Sequence, residues 1–247
     1  MTYDSEFFDY VDQGAIHAAQ VVVRELASHH QPGSLLDVGC GRGGWAHVWK
    51  RHGCHDVAGI DGDYVDRARL YIEPGEFAVI DLSRPFDLSR RFDLVQCLEV
   101  AEHLPAESAA GLVTSVARHG DIVLFSAATP GQGGTHHVNE QPLEYWRDLF
   151  AGIGYVAFDF LRPRIQRDTT VEPWYRFNTI IYANPAGQAR LPAAILDSRV
   201  ASGAPLHEFG PWSWRLRKAV VRRLPLAAVD RLALINSRLN RLRRRSG

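Results

Sequence analysis

Cysteine is scarce: Cys40, Cys54 and Cys97 are the three in 247 residues, an odd number with no C-x-x-C spacing. That excludes a disulfide framework or a zinc knuckle, and positions in or beside expected strands make them reduced, buried thiols. Long apolar runs are missing too. None reaches the about 18 residues that a membrane-crossing helix needs. The opening MTYDSEFFDYVDQG is acidic and lacks the basic and apolar regions of a secretory signal, so a cytoplasmic location is expected. Internal repeats and low-complexity tracts are also absent.

Net charge is absent as well, since 28 Lys and Arg balance 28 Asp and Glu, but the balance conceals an asymmetry. Residues 211–247 hold eleven Arg or Lys against one acid, Asp230, for a net +10, which leaves 17 basic and 27 acidic side chains in residues 1–210, a net −10. A basic stretch on an acidic body points to an electrostatic partner, either the body of another copy or an external polyanion. Hydrophobic residues make up 46%, enough at this length for one large core or a core plus an extension.

The most informative stretch is residues 34–63, SLLDVGCGRGGWAHVWKRHGCHDVAGIDGD. Leu35, Leu36 and Val38 read as a buried strand. Gly39, Gly41 and Gly43 let the backbone bend tightly and approach a ligand, and Trp45 to Lys50 begin a crossover helix. Val57 to Ile60 form a second strand that delivers Asp61, followed by Gly62. A carboxylate there, about 20 residues past the glycines, suits ribose hydroxyls. The glycines alone fit NAD equally well. Asp37 decides, because a dinucleotide site usually has an apolar residue at that place and a later glycine that admits pyrophosphate.

Phe77 to Leu82 reads as a third strand carrying Asp81, and Arg91 to Glu99 as a fourth. With D-x-G-x-G-x-G in front, this order resembles class I S-adenosylmethionine-dependent methyltransferases. The resemblance implies S-adenosyl-L-methionine as cofactor. Asp37 would order the glycine loop and help hold the ammonium, Asp61 the ribose, and Asp81 the adenine amine with Leu82 against the ring. Leu98 and Glu99 would lead into the loop under the reactive methyl. The alternative for each acid is a strand-end cap or a surface turn.

Residues 6–30 predict an amphipathic helix through Ala15, Ile16, Ala19, Val22, Val23 and Leu26. Strands and helices then alternate to about residue 183, the pattern of an α/β, doubly wound, mostly parallel sheet. Asp121 to Ser126 is the fifth strand. Tyr155 to Phe160 and Phe177 to Tyr182 form a final pair, antiparallel in the resembling seven-stranded fold. Residues 1–183 are thus read as the catalytic domain with its helical lead-in, and the Pro- and Gly-rich 184–211 as a linker or wrapping loop. Residues 212–247 are read as a basic, amphipathic helical tail. There Trp212, Trp214, Leu216, Val220 and Leu224 alternate with Arg215, Arg217, Lys218, Arg222 and Arg223, as in an interfacial helix. Leu232, Ile235, Leu239 and Leu242 recur at heptad-like spacing. Peripheral membrane contact, self-association and packing on the chain's own body are the three expectations for the tail.

The loops after the fourth and fifth strands face the same crevice in such a fold. They carry Glu99, Glu102 and His103, then GQGGTHHVNE with His136 and His137. One reading is a divalent metal held by Glu99, Glu102, His103 and His137. This E-x-x-E-H followed by a distant His resembles the metal motif of small-RNA 2′-O-methyltransferases of the Hen1 type. Mixed oxygen and imidazole ligands suit Mn²⁺, Fe²⁺, Co²⁺ or Zn²⁺ better than Mg²⁺, although hydrated Mg²⁺ on the carboxylates is an alternative. The other reading gives Glu99 to the cofactor's amine or a helix cap, and makes a single imidazole the general base: His137 or His136 first, His103 second.

The stretch from Phe7 to Tyr182 resembles a bacterial class I methyltransferase group associated with polysaccharide and natural-product biosynthesis, many of them sugar O-methyltransferases. The motifs that carry it are FFDYVDQG, LLDVGCGRGGW, GIDGDYVD, LEVAEHLP, FSAATPGQGGTHHVNEQP and VEPWYRFNTIIYA. Transfer to a sugar or glycan hydroxyl is therefore the leading expectation, with Tyr145, Trp146, Trp174 and Tyr175 as candidate ring-stacking surfaces. RNA 2′-O-methylation and small-molecule carboxyl or N-methylation are the alternatives, and a non-enzymatic cofactor-binding protein is a third class. Nucleic acid is disfavoured because the body is acidic and the tail interleaves apolar residues with its arginines.

Overall fold

The computed structural model describes residues 5–225, 228, 229 and 231, with side chains from residue 14 onward. The opening amphipathic run forms α1 (Ser5–Ala27), and Ala19, Val22, Val23 and Leu26 are buried along one face of it. The seven strands are β1 (Ser34–Val38), β2 (Asp56–Asp61), β3 (Phe77–Val79), β4 (Leu94–Leu98), β5 (Ile122–Ser126), β6 (Val156–Phe158) and β7 (Ile180–Ala183). They lie in the order β3-β2-β1-β4-β5-β7-β6, with β7 antiparallel to both neighbours and the other pairs parallel. This is the mostly parallel α/β sheet that the alternation of elements predicts, with the seven strands and antiparallel last pair that the family resemblance implies.

Period-two alternation splits the core into two layers. Leu35, Leu94 and Leu124 face a layer shared with α1 and α2 (Gly44–Arg51). Leu36, Val38, Val95, Cys97, Val123 and Phe125 face the other, shared with α3 (Ala109–His119) and α4 (Leu143–Gly152). Each such side chain contributes about 2 kcal/mol when fully buried. The order in which strands are laid down reverses between the parallel neighbours β1 and β4, so their carboxyl ends open a crevice at the switch point. Cys40, Cys54 and Cys97 are all buried and free.

Two sequence expectations are corrected here, and an alternative is decided. Phe177 does not begin a strand: it belongs to α6 (Pro173–Asn178), which follows α5 (Arg162–Ile165) and is started by a proline at its first turn. Trp146 is not a binding surface, being 1% exposed against Phe125 in the core, and Tyr175 is buried against Trp45. Of the two expectations for residues 184–211, linker or wrapping loop, the segment takes the second and wraps the body. Two short helices, α7 (Pro185–Gln188) and α8 (Ala193–Leu196), together with buried Leu191, Ile195 and Leu206, hold that segment down. Buried Arg162 pins it further, gripping Asp159 at 2.8 and 2.7 Å and donating to the carbonyls of Phe177 and His207, each at 3.0 Å.

The wrap delivers α9 (Trp212–Val221), which docks on the loop after β5. Its inner face is mixed: Trp214 packs beside Phe177 and Val221 beside Gly133, Lys218 is buried and donates to Thr129 Oγ1 at 2.7 Å and to Glu208, and Arg217 donates to the Gln132 carbonyl at 2.7 Å. Its outer face is apolar, with Trp212, Leu216 and Val220 exposed at 72%, 55% and 53%. The heptad-like positions Leu232, Ile235, Leu239 and Leu242 lie outside the described residues. Among the described residues no helix is long and apolar enough to cross a membrane.

Candidate functional site

The glycine loop leaves β1 with Gly39, Gly41 and Gly43 at φ 74°, 55° and 82°, the left-handed region that other residues enter only at a cost. At Gly39 a side chain would also strike Val100, whereas nothing lies within 4 Å of a Cβ added at Gly41. Asp61, at the end of β2, organises the turn. Its Oδ2 accepts from Gly41 N–H at 2.7 Å, and its Oδ1 accepts from Gly62 N–H at 2.7 Å and from the Tyr64 hydroxyl. Burial pushes the Asp61 pKa up, against the lowering pull of these donors.

Asp37 sits on β1 opposite Gln96 of β4 and is buried, with its Oδ2 unpartnered within the chain. Burial raises its pKa to about 7, opposed by Gln96 and the Ala46 backbone and reinforced by Asp61. A partner cation is therefore what this carboxylate lacks. Asp81 behaves differently. It lies beyond β3, is exposed, and turns back to accept from Ser83 N–H at 3.0 Å and Ser83 Oγ–H at 2.6 Å. Leu82 and Leu98 are buried beside the crevice and Gly62 is half-buried.

Glu99, immediately after β4, is held at φ 55° by its N–H, which donates to Ser126 O at 3.0 Å and Ser126 Oγ at 3.2 Å. A non-glycine residue in that region costs about 1–2 kcal/mol, and the strain aims its side chain at the crevice. There Gln132 donates to Glu99 Oε2 at 2.8 Å and Asn178 to Oε1 at 3.4 Å. Burial raises the Glu99 pKa, opposed by these donors and by nearby His137.

Three residues further on, Glu102 is fully buried and neither of its carboxylate oxygens has a hydrogen-bond partner. Burial and the proximity of Glu99 drive its pKa well up. One ligand atom each from Glu102, His103 and His137 lies within 4.8 Å of the others, and the two imidazoles meet edge to face at 4.8 Å. His103 is exposed along one edge, but desolvation of its crowded side, with His137 and His136 nearby, lowers its pKa and keeps the ring neutral. The backbone locks the two loops together: Val138 and Asn139 N–H donate to the Glu102 carbonyl at 2.9 and 3.0 Å, and Asn139 Nδ2 to the Ala101 carbonyl at 3.3 Å. Glu99 is outside the three-residue group, and exposed His136 occupies a left-handed turn at φ 67°.

A family model described as a methyltransferase domain matches residues 13–163. The chain belongs to this family. Among solved structures, the methyltransferase is similar to an O-methyltransferase family protein from Burkholderia thailandensis, with 14% identity over 70% of this chain and 56% of that chain at TM-score 0.52. It is also similar to the amino pentose methyltransferase CalS10 from Micromonospora echinaspora, with 18% identity over 74% and 98% at TM-score 0.52. A third is the small RNA methyltransferase HEN1, with 19% identity over 67% and 25% at TM-score 0.50. At these identities the likeness is one of fold. The alignment spans little more than half of the Burkholderia protein and a quarter of HEN1. No curated protein matches the sequence significantly.

For this methyltransferase the donor set fits S-adenosylmethionine, which brings an ammonium to pair with a carboxylate and no phosphate for a helix N-terminus to hold. The buried, unpartnered Asp37 oxygen meets the first requirement. Sequence reading missed Glu140. Its Oε1 accepts from His137 Nδ1 at 3.0 Å and from Gly133 N–H at 2.7 Å, and its Oε2 accepts from Gly131 N–H at 2.7 Å. His137 and these amides lower its pKa against the raising effect of burial, so Glu140 is an anion and His137 Nδ1 is the donor. The three-residue spacing from His137 was the available signal. Gln132 and Asn178, which position Glu99, had none.

Proposed function

We propose that the methyltransferase transfers the methyl group of S-adenosyl-L-methionine to a sugar or glycan hydroxyl, assisted by a divalent cation held by Glu102, His103 and His137. The observation that carries the cation is Glu102: a buried carboxylate with no hydrogen-bond partner, facing two imidazoles, is a liability without one. The Glu140–His137 pair supports it, because a carboxylate on the far nitrogen fixes the tautomer and sharpens the basicity of a metal-binding imidazole. When bound, the cation supplies Lewis acidity that lowers the pKa of an acceptor hydroxyl, a poor nucleophile on its own. The chain's residues do the rest. Asp37 holds the ammonium, Asp61 and the glycine loop hold the ribose side, and Glu99, clamped by Gln132 and Asn178, sits beneath the transferred methyl. Mixed oxygen and nitrogen ligands favour Mn²⁺ or Zn²⁺ over Mg²⁺.

The Glu140–His137 pair also suits a second reading, in which His137 alone takes the hydroxyl proton and Glu140 orients it. A sugar is preferred to RNA because the chain outside residues 211–247 is acidic. CalS10, an amino pentose methyltransferase, lends support to a sugar acceptor. We further propose a cytoplasmic enzyme in peripheral contact with the inner membrane face through α9, supported by exposed Trp212, Leu216 and Val220.

The test is methyl transfer to a panel of glycosides, short RNAs and small carboxylic acids, before and after chelation. Transfer to glycosides, lost in chelator and restored by Mn²⁺, is the expected result. Full activity in chelator would leave the general-base reading, and transfer confined to RNA or carboxylic acids would overturn the sugar assignment.

A further inference from the structure

Beside His137 lies a cavity of about 340 Å³ whose far wall comes from α9 and the residues after it: Val221, Arg222, Leu224 and Val229. His137 and Glu140 form the near wall. The far wall is built in. Any side chain at Gly131 would collide with the Lys218 carbonyl and with Arg222, so α9 lies almost backbone to backbone on this loop. A side chain at Gly133 would press on Val221 and Val229 at 3.1 and 3.2 Å. Lys218 and Arg217 fasten the contact through Thr129 and the Gln132 carbonyl.

The chemistry of the two walls differs. Glu140 is consumed by His137 and two backbone amides and has little left to offer a ligand. Val221, Leu224 and Val229 offer apolar surface. Arg222 offers a guanidinium with no ion-pair or side-chain hydrogen-bond partner among the described residues.

Building on the O-methyl-transfer reading of the same site, we propose that this cavity receives the acceptor, and that the acceptor is an anionic amphiphile. It would be a glycoside with an apolar aglycone against Val221, Leu224 and Val229 and a carboxylate or phosphate on Arg222, with a free hydroxyl presented to His137. An apolar body explains three aliphatic side chains beside a catalytic imidazole, and guanidinium is the side chain best shaped for a carboxylate or phosphate. Val221, Arg222, Leu224 and Val229 are then part of the acceptor site, and α9 is the element that brings them there.

Calorimetry of the full chain with S-adenosylhomocysteine present tests this with four probes: hexyl β-D-glucuronide, hexyl β-D-glucoside 6-phosphate, hexyl β-D-glucoside and free glucuronate. The two anionic hexyl glycosides should bind about tenfold more tightly than the neutral one and than free glucuronate, and which of them binds better identifies the anion. Arg222→Gln should erase the preference for the anion. Val229→Trp, which places an indole in the cavity, should weaken all hexyl glycosides about tenfold while S-adenosylhomocysteine affinity stays unchanged. Equal binding of neutral and anionic hexyl glycosides, or a preference that survives Arg222→Gln, would overturn the assignment. So would glycoside affinity unaltered in Val229→Trp. Methyl transfer is scored separately: binding without transfer upholds the cavity and counts against the O-methyl reading.

Discussion

His137 donates Nδ1–H to Glu140 across 3.0 Å, and the same carboxylate caps the amides of Gly131 and Gly133. One side chain therefore sets the tautomer of the imidazole and the shape of the loop carrying it, leaving Nε2 with the lone pair. Glu140→Gln keeps the size but removes the charge and presents an amide that can donate in the wrong direction. Turnover should fall about 10- to 100-fold while S-adenosylhomocysteine affinity, read by calorimetry, is unchanged. Equal activity would separate Glu140 from the chemistry.

Asp37 gives a pH signature. Its folded-state pKa of about 7 lies above that of an unfolded aspartate, so in the window between them the folded chain holds a proton that the unfolded chain has released. Stability from this group is full at low pH and declines as pH rises towards 7. Cofactor binding runs the other way, because an ammonium favours the ionised carboxylate. Affinity should climb as pH rises from about 5.5 to about 7, with proton release visible as buffer-dependent calorimetric heat. Asp37→Asn should bind weakly, with a flat profile over that range.

With Asp61 proposed to hold the cofactor's ribose, Tyr64 is its competitor, since the phenol donates to Oδ1. Removing that hydroxyl in Tyr64→Phe should leave affinity equal or improve it a few-fold, whereas Asp61→Ala should cost about 100-fold by losing both the ribose acceptor and the Gly41 and Gly62 anchors. A large loss in Tyr64→Phe would instead make the tyrosine a cofactor contact.

The outward stripe of α9 predicts membrane binding that is apolar and charge-assisted. Full-length protein should float with anionic vesicles, more weakly at high salt, and a Trp212→Ser, Leu216→Ser, Val220→Ser triple variant should stay in the soluble fraction. Equal, salt-insensitive recovery of both in the soluble fraction would remove the membrane from the account.

Much of this architecture was legible because local sequence and global fold agree. Glycines in D-x-G-x-G-x-G adopt the positive φ that the turn requires, and strand alternation around Leu36, Val95 and Val123 marks the layers. What stayed hidden has both local and long-range causes. Asp81 has the residue type of an adenine ligand, yet a serine two positions later captures it. Phe177 and Trp146 have strand and binding-surface chemistry but were claimed by a proline-started helix and by the core. In the tail, alternating arginines and aliphatics suggested an amphipathic helix over 212–247, of which the described residues show α9 (Trp212–Val221). Its orientation could not be read, because Lys218 is drawn inward by Thr129, 89 residues earlier.

That separation has a consequence for the order in which the enzyme matures. Arg217 and Lys218 meet Gln132 and Thr129 across 85 and 89 residues, while the glycine loop meets Asp61 across 20. On a ribosome adding about 5–20 residues per second, the cofactor half can close several seconds before α9 emerges. The loop bearing His137 and Glu140 gains its outer brace only when α9 arrives. A nascent chain can thus acquire its cofactor pocket early while methylation competence waits for α9, a built-in delay between loading and use.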